Sequence, residues 1–297
     1  PDSELVNSPS NAGFNVEEFV KKWDGYLAAY SEDVDGVSLS GYAIVNRVAL
    51  EYSVNPRLLL SLLEYQSGWV SESFPEERTL MYPMGFYDAW REGLYQQLSW
   101  AANLLNEGYY LWKLNGITIW SLIDGNIIQV DPTINPGTAG VLNLMRYLET
   151  GSDWDRAISE EGIFSTYFSF FGYPFNNAYE PMVPQNLTQP VLQLPFEDGQ
   201  VWSFTGGPHG GWNTGSAWAA IDFAPPGEAM GCYPSEAWVV ASAAGEVVYA
   251  DHGTVIQDLD GDGVWQSGWS IFYGHIATWE RVAVGQKLAA GDRIGHP

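Results

Sequence analysis

Cysteine is nearly missing from this chain: Cys232 is the single one in 297 residues, and one thiol closes no internal disulfide. The chain is therefore either cytosolic, or exported and short of a partner for Cys232. Basic residues are scarce as well. Twelve Lys and Arg stand against 36 Asp and Glu, a net charge of −24, and such a field repels phosphate backbones and anionic headgroups. Nucleic acid is thus argued against as a partner, and two readings of the acidity remain: solubility in a salty or hot exterior, or cation binding. No run of about 18 apolar residues occurs, so no segment reads as a membrane span. Disorder is excluded by what is abundant, since 46% of residues are hydrophobic and 15% aromatic, with 14 Trp and 17 Tyr.

Length alone suggests about two domains, and the pattern of residues divides the chain accordingly. Residues 1–13 are rich in Ser, Asn and Pro, with no basic start or apolar core, and read as an extended, processed N-terminus that follows a removed signal. That reading places the protein outside the cell. Residues 14–173 form a helical domain, for Phe19, Trp23, Tyr26 and Leu27, then Ile44, Val48 and Leu50, then Leu58 to Leu63 recur at helical spacing. Asn55-Pro56 supplies an N-cap and a first-turn proline for a helix from Arg57 to about Trp69. A further helix is predicted over Leu94 to Leu105, ending near Asn106 and Gly108. Residues 174–200 carry Pro174, Pro181, Pro184, Pro190 and Pro195 without an apolar face and read as a linker. Residues 201–297 change to short β-branched and aromatic runs separated by Gly: Ala219 to Ala224, Trp238 to Ala241, Glu246 to Ala250 and Trp269 to Tyr273. These predict antiparallel β-structure, so the expected fold class is α+β in two domains.

In the β half, alternation along Ala220-Ile221-Asp222-Phe223-Ala224 puts Asp222 on the face opposite Ile221 and Phe223, which are expected in the core. Pro208-His209-Gly210-Gly211 lies upstream in a Gly-rich turn, and Tyr273-Gly274-His275-Ile276 ends a later strand. A carboxylate and imidazoles gathered on one sheet face can hold zinc and leave a position open for water. His252, in Asp251-His252-Gly253, reads as a turn residue.

The order of these segments, continued by Val240-Ala241, Gly245-Glu246-Val247-Val248, Val284-Gly285-Gln286 and Gly291-Asp292-Arg293-Ile294-Gly295, resembles the lysostaphin-type zinc endopeptidases over about a hundred residues. The resemblance implies that His209 and Asp222 are zinc ligands and that His275 is catalytic, orienting or deprotonating the attacking water. It also implies peptide cross-links of peptidoglycan as substrate. Two departures stand out. The stretch Gly210 to Ile221 separates His209 from Asp222, whereas the family spaces them closely. The family's late His-x-His strand, source of its third ligand and a second catalytic His, is absent up to His296-Pro297. The expectation is that the sequence is truncated before that strand, which would also hold a partner for Cys232.

Asp258-Leu259-Asp260-Gly261-Asp262-Gly263 has the alternating carboxylates and the Gly of a calcium loop. The Glu that would complete it is missing between Val264 and Trp269, so Asp258, Asp260 and Asp262 read equally as a Ca²⁺ site or as an acidic hairpin tip.

In the helical half, Leu58 to Trp69, Gly93-Leu94-Tyr95-Gln96 and Asn135-Pro136-Gly137-Thr138 look like a lysozyme-like transglycosylase domain. The resemblance places Gln66 where that family has its general acid, and an amide has no proton to give. Glu64 stands about 200° away around the helix and does not replace it. What the resemblance leaves is glycan binding, with Gln66, Tyr95 and Gln96 as candidates and Tyr and Trp rings for stacking. The alternative to a peptidase is a catalytically inactive wall-binding or self-associating subunit built from degenerate hydrolase domains.

Overall fold

A computed structural model describes residues 1–210, 218–227, 231 and 233–297; Cys232 and the upper part of the Gly-rich segment after Gly210 lie outside the described residues. The chain divides into two compact units, one of residues 1–180 with 209–219, the other of residues 181–208 with 220–297.

The first unit is built on helices. In chain order they are α1 (Val16–Trp23), α2 (Tyr26–Ala29), α3 (Gly41–Tyr52), α4 (Pro56–Ser67), α5 (Leu94–Lys113), α6 (Pro136–Met145), α7 (Gly151–Ala157) and α8 (Ile163–Phe171). Two small hairpins accompany them: β1 (Ser31–Val34) with β2 (Val37–Ser40), and β3 (Ile119–Ser121) with β4 (Ile127–Gln129). Helix α4 starts where the sequence says it should. Asn55 accepts the Arg57 N–H, Pro56 occupies the first turn, and left-handed Gly68 ends the helix. Leu58, Leu59, Leu60, Leu62 and Leu63 are all buried, as a helix apolar on nearly every side must be. Each such leucine contributes about 1.5–3 kcal/mol of burial.

Two expectations fail in instructive ways. Helix α5 runs on to Lys113, through Asn106 and Gly108. A Cβ on Gly108 would meet Asn143 Cβ at 2.5 Å and the Ala139 carbonyl at 2.7 Å, and one on Gly140 would meet the Leu105 carbonyl at 2.7 Å. The glycines therefore let α5 and α6 cross closely, and Gly108 is a packing residue and not a helix terminator. The N-terminal segment is not extended either. Two 3-10 turns, Asp2–Glu4 and Pro9–Asn11, fold it onto the helices, with Leu5, Ser8 and Asn11 buried. Buried Glu4 fastens it, accepting from Arg57 Nη2 at 2.7 Å, from Ser10 Oγ at 2.7 Å, and from the Tyr167 hydroxyl. A buried carboxylate is tolerable when its partners are this many.

The second unit holds β5 (Ser203–Gly210, whose last two residues group with the first unit), β6 (Trp218–Ala224, whose first two residues do likewise), β7 (Val239–Val240), β8 (Gly245–Asp251), β9 (Thr254–Asp258), β10 (Ser270–Tyr273), β11 (Lys287–Leu288) and β12 (Arg293–Gly295). One sheet has the order β10-β9-β8-β11, antiparallel throughout, while β12 pairs with β7 and β5 with β6. Val239, Ala241, Val247, Val255, Tyr273, Ile276 and Ile294 form its core. Strand β9 is central and buried along its whole length, a short run that alternation does not reveal. The α+β expectation is met: helices dominate the first half and antiparallel sheets the second. No helix among the described residues is long and apolar enough to cross a membrane.

Candidate functional site

His209 lies on β5 and not in a turn, and Asp222 lies on its hydrogen-bonded neighbour β6. The two strands approach tightly around Gly207, where a Cβ would stand 2.7 Å from the Ala220 carbonyl and 2.9 Å from Ile221 Cα. His209 Nδ1 is 2.7 Å from the Gly210 carbonyl, an acceptor to which only a protonated Nδ1 can donate. Asp222 is exposed, but so is Ile221, at 56%, which corrects the expectation that Ile221 is core. Phe223 is half-buried, its ring against Phe196 and Phe204. The pair β5-β6 forms its own ladder, and alternation along an isolated ladder does not guarantee one buried face.

His275 follows β10, exposed, at a left-handed backbone position with φ 58°. His252 occupies the β8-β9 turn beside Asp251, also with positive φ, as expected of it. His296 is only 2% exposed. Its ring stacks on Trp279 at 3.8 Å and packs on Trp238 at 3.7 Å. Its nitrogens meet the Ala237 carbonyl at 3.0 Å and Glu280 Oε2 at 3.1 Å. Nothing local in Gly295-His296-Pro297 signals this clamp, because every partner is remote in sequence.

The acidic loop is the one place among the described residues where three metal-ligating side chains gather: carboxylate oxygens of Asp258, Asp260 and Asp262 lie within 4.8 Å of one another. Asp258 ends β9, paired with Glu246 on one side and Ser270 on the other. It is fully buried and accepts the backbone N–H groups of Asp260, Gly261 and Gly263 at 3.1, 3.3 and 2.8 Å. Burial raises its pKa, but the Asp260 hydrogen bond and these donors outweigh it and hold the carboxyl below the usual range. Asp260, though exposed, moves the other way, pushed up to about 6 by partial desolvation, by its hydrogen bond with Asp258 and by repulsion from Asp258 and Asp262. Three carboxylates converging in this way repel one another, and a divalent cation is one way to relieve them.

In the helical unit, Gln66 donates Nε2–H to Glu149 Oε1 at 3.1 Å. Burial pushes the half-buried Glu149 carboxyl up, against the lowering effect of that hydrogen bond. Glu149 is a residue that sequence reasoning missed, since it stands 83 positions away. Glu64 is fully occupied, accepting from Val70 N–H, Ser71 N–H and the Ser71 hydroxyl, so it fastens the turn after α4. Tyr95 belongs to a different network from Gln66: its hydroxyl donates to Glu51 at 2.8 Å and the Arg47 guanidinium covers its ring. Gln96 is exposed beside it. Tyr87 and Trp90 are exposed at 64% and 91%, on the loop before α5.

Residues 1–186 match the protein-family model described as LasA, N-terminal domain. Two curated relatives, each named Protease LasA, come from Pseudomonas aeruginosa strains UCBPP-PA14 and PAO1. Both are 27% identical to the chain over 298 aligned positions, which cover 91% of this chain and 66% of theirs. The chain therefore spans just under two thirds of the length of these relatives. No solved structure matches it.

Proposed function

The chain belongs to the LasA N-terminal domain family, and on that premise we propose a secreted, cell-wall-directed protein of the zinc metalloendopeptidase kind that hydrolyses peptide cross-links of peptidoglycan. The observation that carries this reading is the alignment with proteases along 91% of the chain, joined to an imidazole and a carboxylate on two paired strands.

The donor chemistry of His209 and Asp222 fits two protein ligands of a zinc site, with the Gly210 carbonyl fixing the tautomer of the first. Zinc held there would polarise the scissile carbonyl and lower the pKa of its water. His275 is assigned the proton transfer, for which an exposed imidazole on a turn is chemically suited. Acidic Asp258, Asp260 and Asp262 are a separate cation site in this reading, supported by the convergence of their oxygens, with Ca²⁺ as the hard, oxygen-seeking ion. Glycan contact falls to the helical unit of residues 14–173. It is supported by the Gln66–Glu149 pair and by the exposed rings of Tyr87 and Trp90, which offer flat faces to sugars, with exposed Gln96 as a further polar contact. Of the proline-rich stretch 174–200, residues up to 180 group with the helical unit and those from 181 with the second unit.

Zinc analysis of the purified chain by mass spectrometry tests the proposal, together with chelator-sensitive release of free amino groups from cell walls. His209→Ala and Asp222→Ala are each expected to lose the zinc and the release. A zinc-free native chain that still pelleted with cell walls would replace it with the inactive wall-binding subunit.

A further inference from the structure

Hairpin β3-β4 of the helical unit ends in an unpaired edge above an apolar cavity. Val130 N–H bonds the Thr118 carbonyl and Leu122 N–H the Asn126 carbonyl, and Trp120 stands opposite Ile128 between them. Pairs Thr118/Val130, Trp120/Ile128 and Leu122/Asn126 are thereby the hydrogen-bonded ones. In an antiparallel ladder the intervening pairs, Ile119/Gln129 and Ser121/Ile127, turn their N–H and C=O groups away from the partner strand. On the β3 side Arg146 covers the end nearest the turn, its carbonyl accepting the Ile123 N–H at 3.1 Å and its Nη1 reaching the Ser121 carbonyl at 3.5 Å. On the β4 side, among the described residues, the N–H and C=O of Ile127 and Gln129 meet nothing.

Beneath this edge lies a cavity of about 260 Å³ walled by Trp120, Ile128, Val130, Leu142, Trp154 and Ile158. Trp120 is 3% exposed and its Nε1–H is buried with no acceptor. A buried donor of this kind is costly unless a ligand supplies the missing oxygen. Ile127 and Ile119, on the outer face of the hairpin, are exposed at 65% and 42%. Asp124 and Asp131 flank β4, and no Lys or Arg occurs from Gly116 to Thr138.

We propose that β4 and the cavity beneath it form a docking edge for an extended peptide strand that inserts one large apolar side chain beside Trp120 and carries basic residues at its ends. An extended backbone is the chemistry that satisfies alternating outward N–H and C=O groups. The side chain opposite Ile128 would face the cavity, and the two aspartates select against an acidic strand.

The test uses the full chain and the synthetic peptide acetyl-Lys-Thr-Val-Leu-Val-Thr-Lys-amide, titrated by calorimetry and followed through the Trp120 indole N–H in ¹H–¹⁵N spectra. Gln129→Pro removes an outward N–H without breaking a ladder bond and is expected to weaken binding at least tenfold. Trp120→Phe keeps an aromatic ring, deletes the orphan donor and should weaken it about fivefold to tenfold. Either variant alone suffices if the other does not fold. An affinity unchanged in the folded variants overturns the proposal, as does equal binding of the Glu-flanked version of the peptide. Decanoate filling the cavity while the peptide fails to bind would show an acyl-chain site instead. Dimerisation abolished by Gln129→Pro, again without peptide binding, would show an interface between copies.

Discussion

Asp258 and Asp260 are two residues apart on one loop, yet their removal should change stability in opposite directions. Asp258→Ala strips a fully buried acceptor from the three N–H groups of Asp260, Gly261 and Gly263. At about 1 kcal/mol for each donor left without its partner, the loss is about 2–3 kcal/mol. Asp260→Asn instead removes a charge that the fold disfavours. A rise from the usual 3.8 to about 6 corresponds, unscreened, to about 3 kcal/mol. Asp260 is exposed, and solvent screening cuts that to a gain of about 0.5–1 kcal/mol at pH 7. The pH dependence follows from the direction of the shift. The folded state holds the Asp260 proton more tightly than the unfolded chain, so its contribution is fully present below about pH 4 and lost as the pH rises through about 6. Asp260→Asn should therefore flatten the stability profile between those values. Calorimetric melting at pH 4, 5 and 7 in chelator reads both effects, with about 1 kcal/mol moving the melting temperature of a unit this size by several degrees. A neutral Asp258→Ala, or an Asp260→Asn that destabilises at pH 7 in chelator, would refute the reasoning. With millimolar calcium, the native protein should gain melting temperature and Asp260→Asn should lose that increment.

Gly108→Ala gains about 1 kcal/mol of helix propensity but drives a Cβ to 2.5 Å from Asn143 Cβ, an overpacking cost of about 3 kcal/mol. A net loss of about 2 kcal/mol is expected in urea unfolding, and an increase in stability would show that α5 and α6 do not cross so closely. His296→Ala empties the space between Trp238 and Trp279 and should cost about 2 kcal/mol, read as a lower melting temperature with quenched or shifted tryptophan emission. Glu149→Gln should leave the helical unit folded, since the carboxyl is only half-buried, while weakening retention on purified glycan strands; unchanged retention would remove Gln66 and Glu149 from the glycan contact.

Much of this protein is dictated locally. Asn55-Pro56 and Gly68 set the limits of α4, because capping and left-handed termination depend on the residues at those positions alone. The change from helical to strand periodicity after the proline-rich stretch fixes the α+β class, and the Asp-Gly alternation fixes the tight acidic loop, whose Gly261 and Gly263 both take positive φ. Other features depend on partners far along the chain, and here sequence reasoning has no purchase. Gly108 reads as a helix end until α6 lies against it, Gln66 reads as a lost acid until Glu149 arrives, and Ile221 reads as core until β6, among the described residues, pairs with β5 alone. His296 means nothing until two tryptophans close around it. Likewise, only tertiary packing buries the Trp120 indole and leaves β4 with an open edge. Local backbone preferences act within a few residues, whereas burial, close crossing and the sharing of protons are properties of surfaces that meet only after the chain has folded.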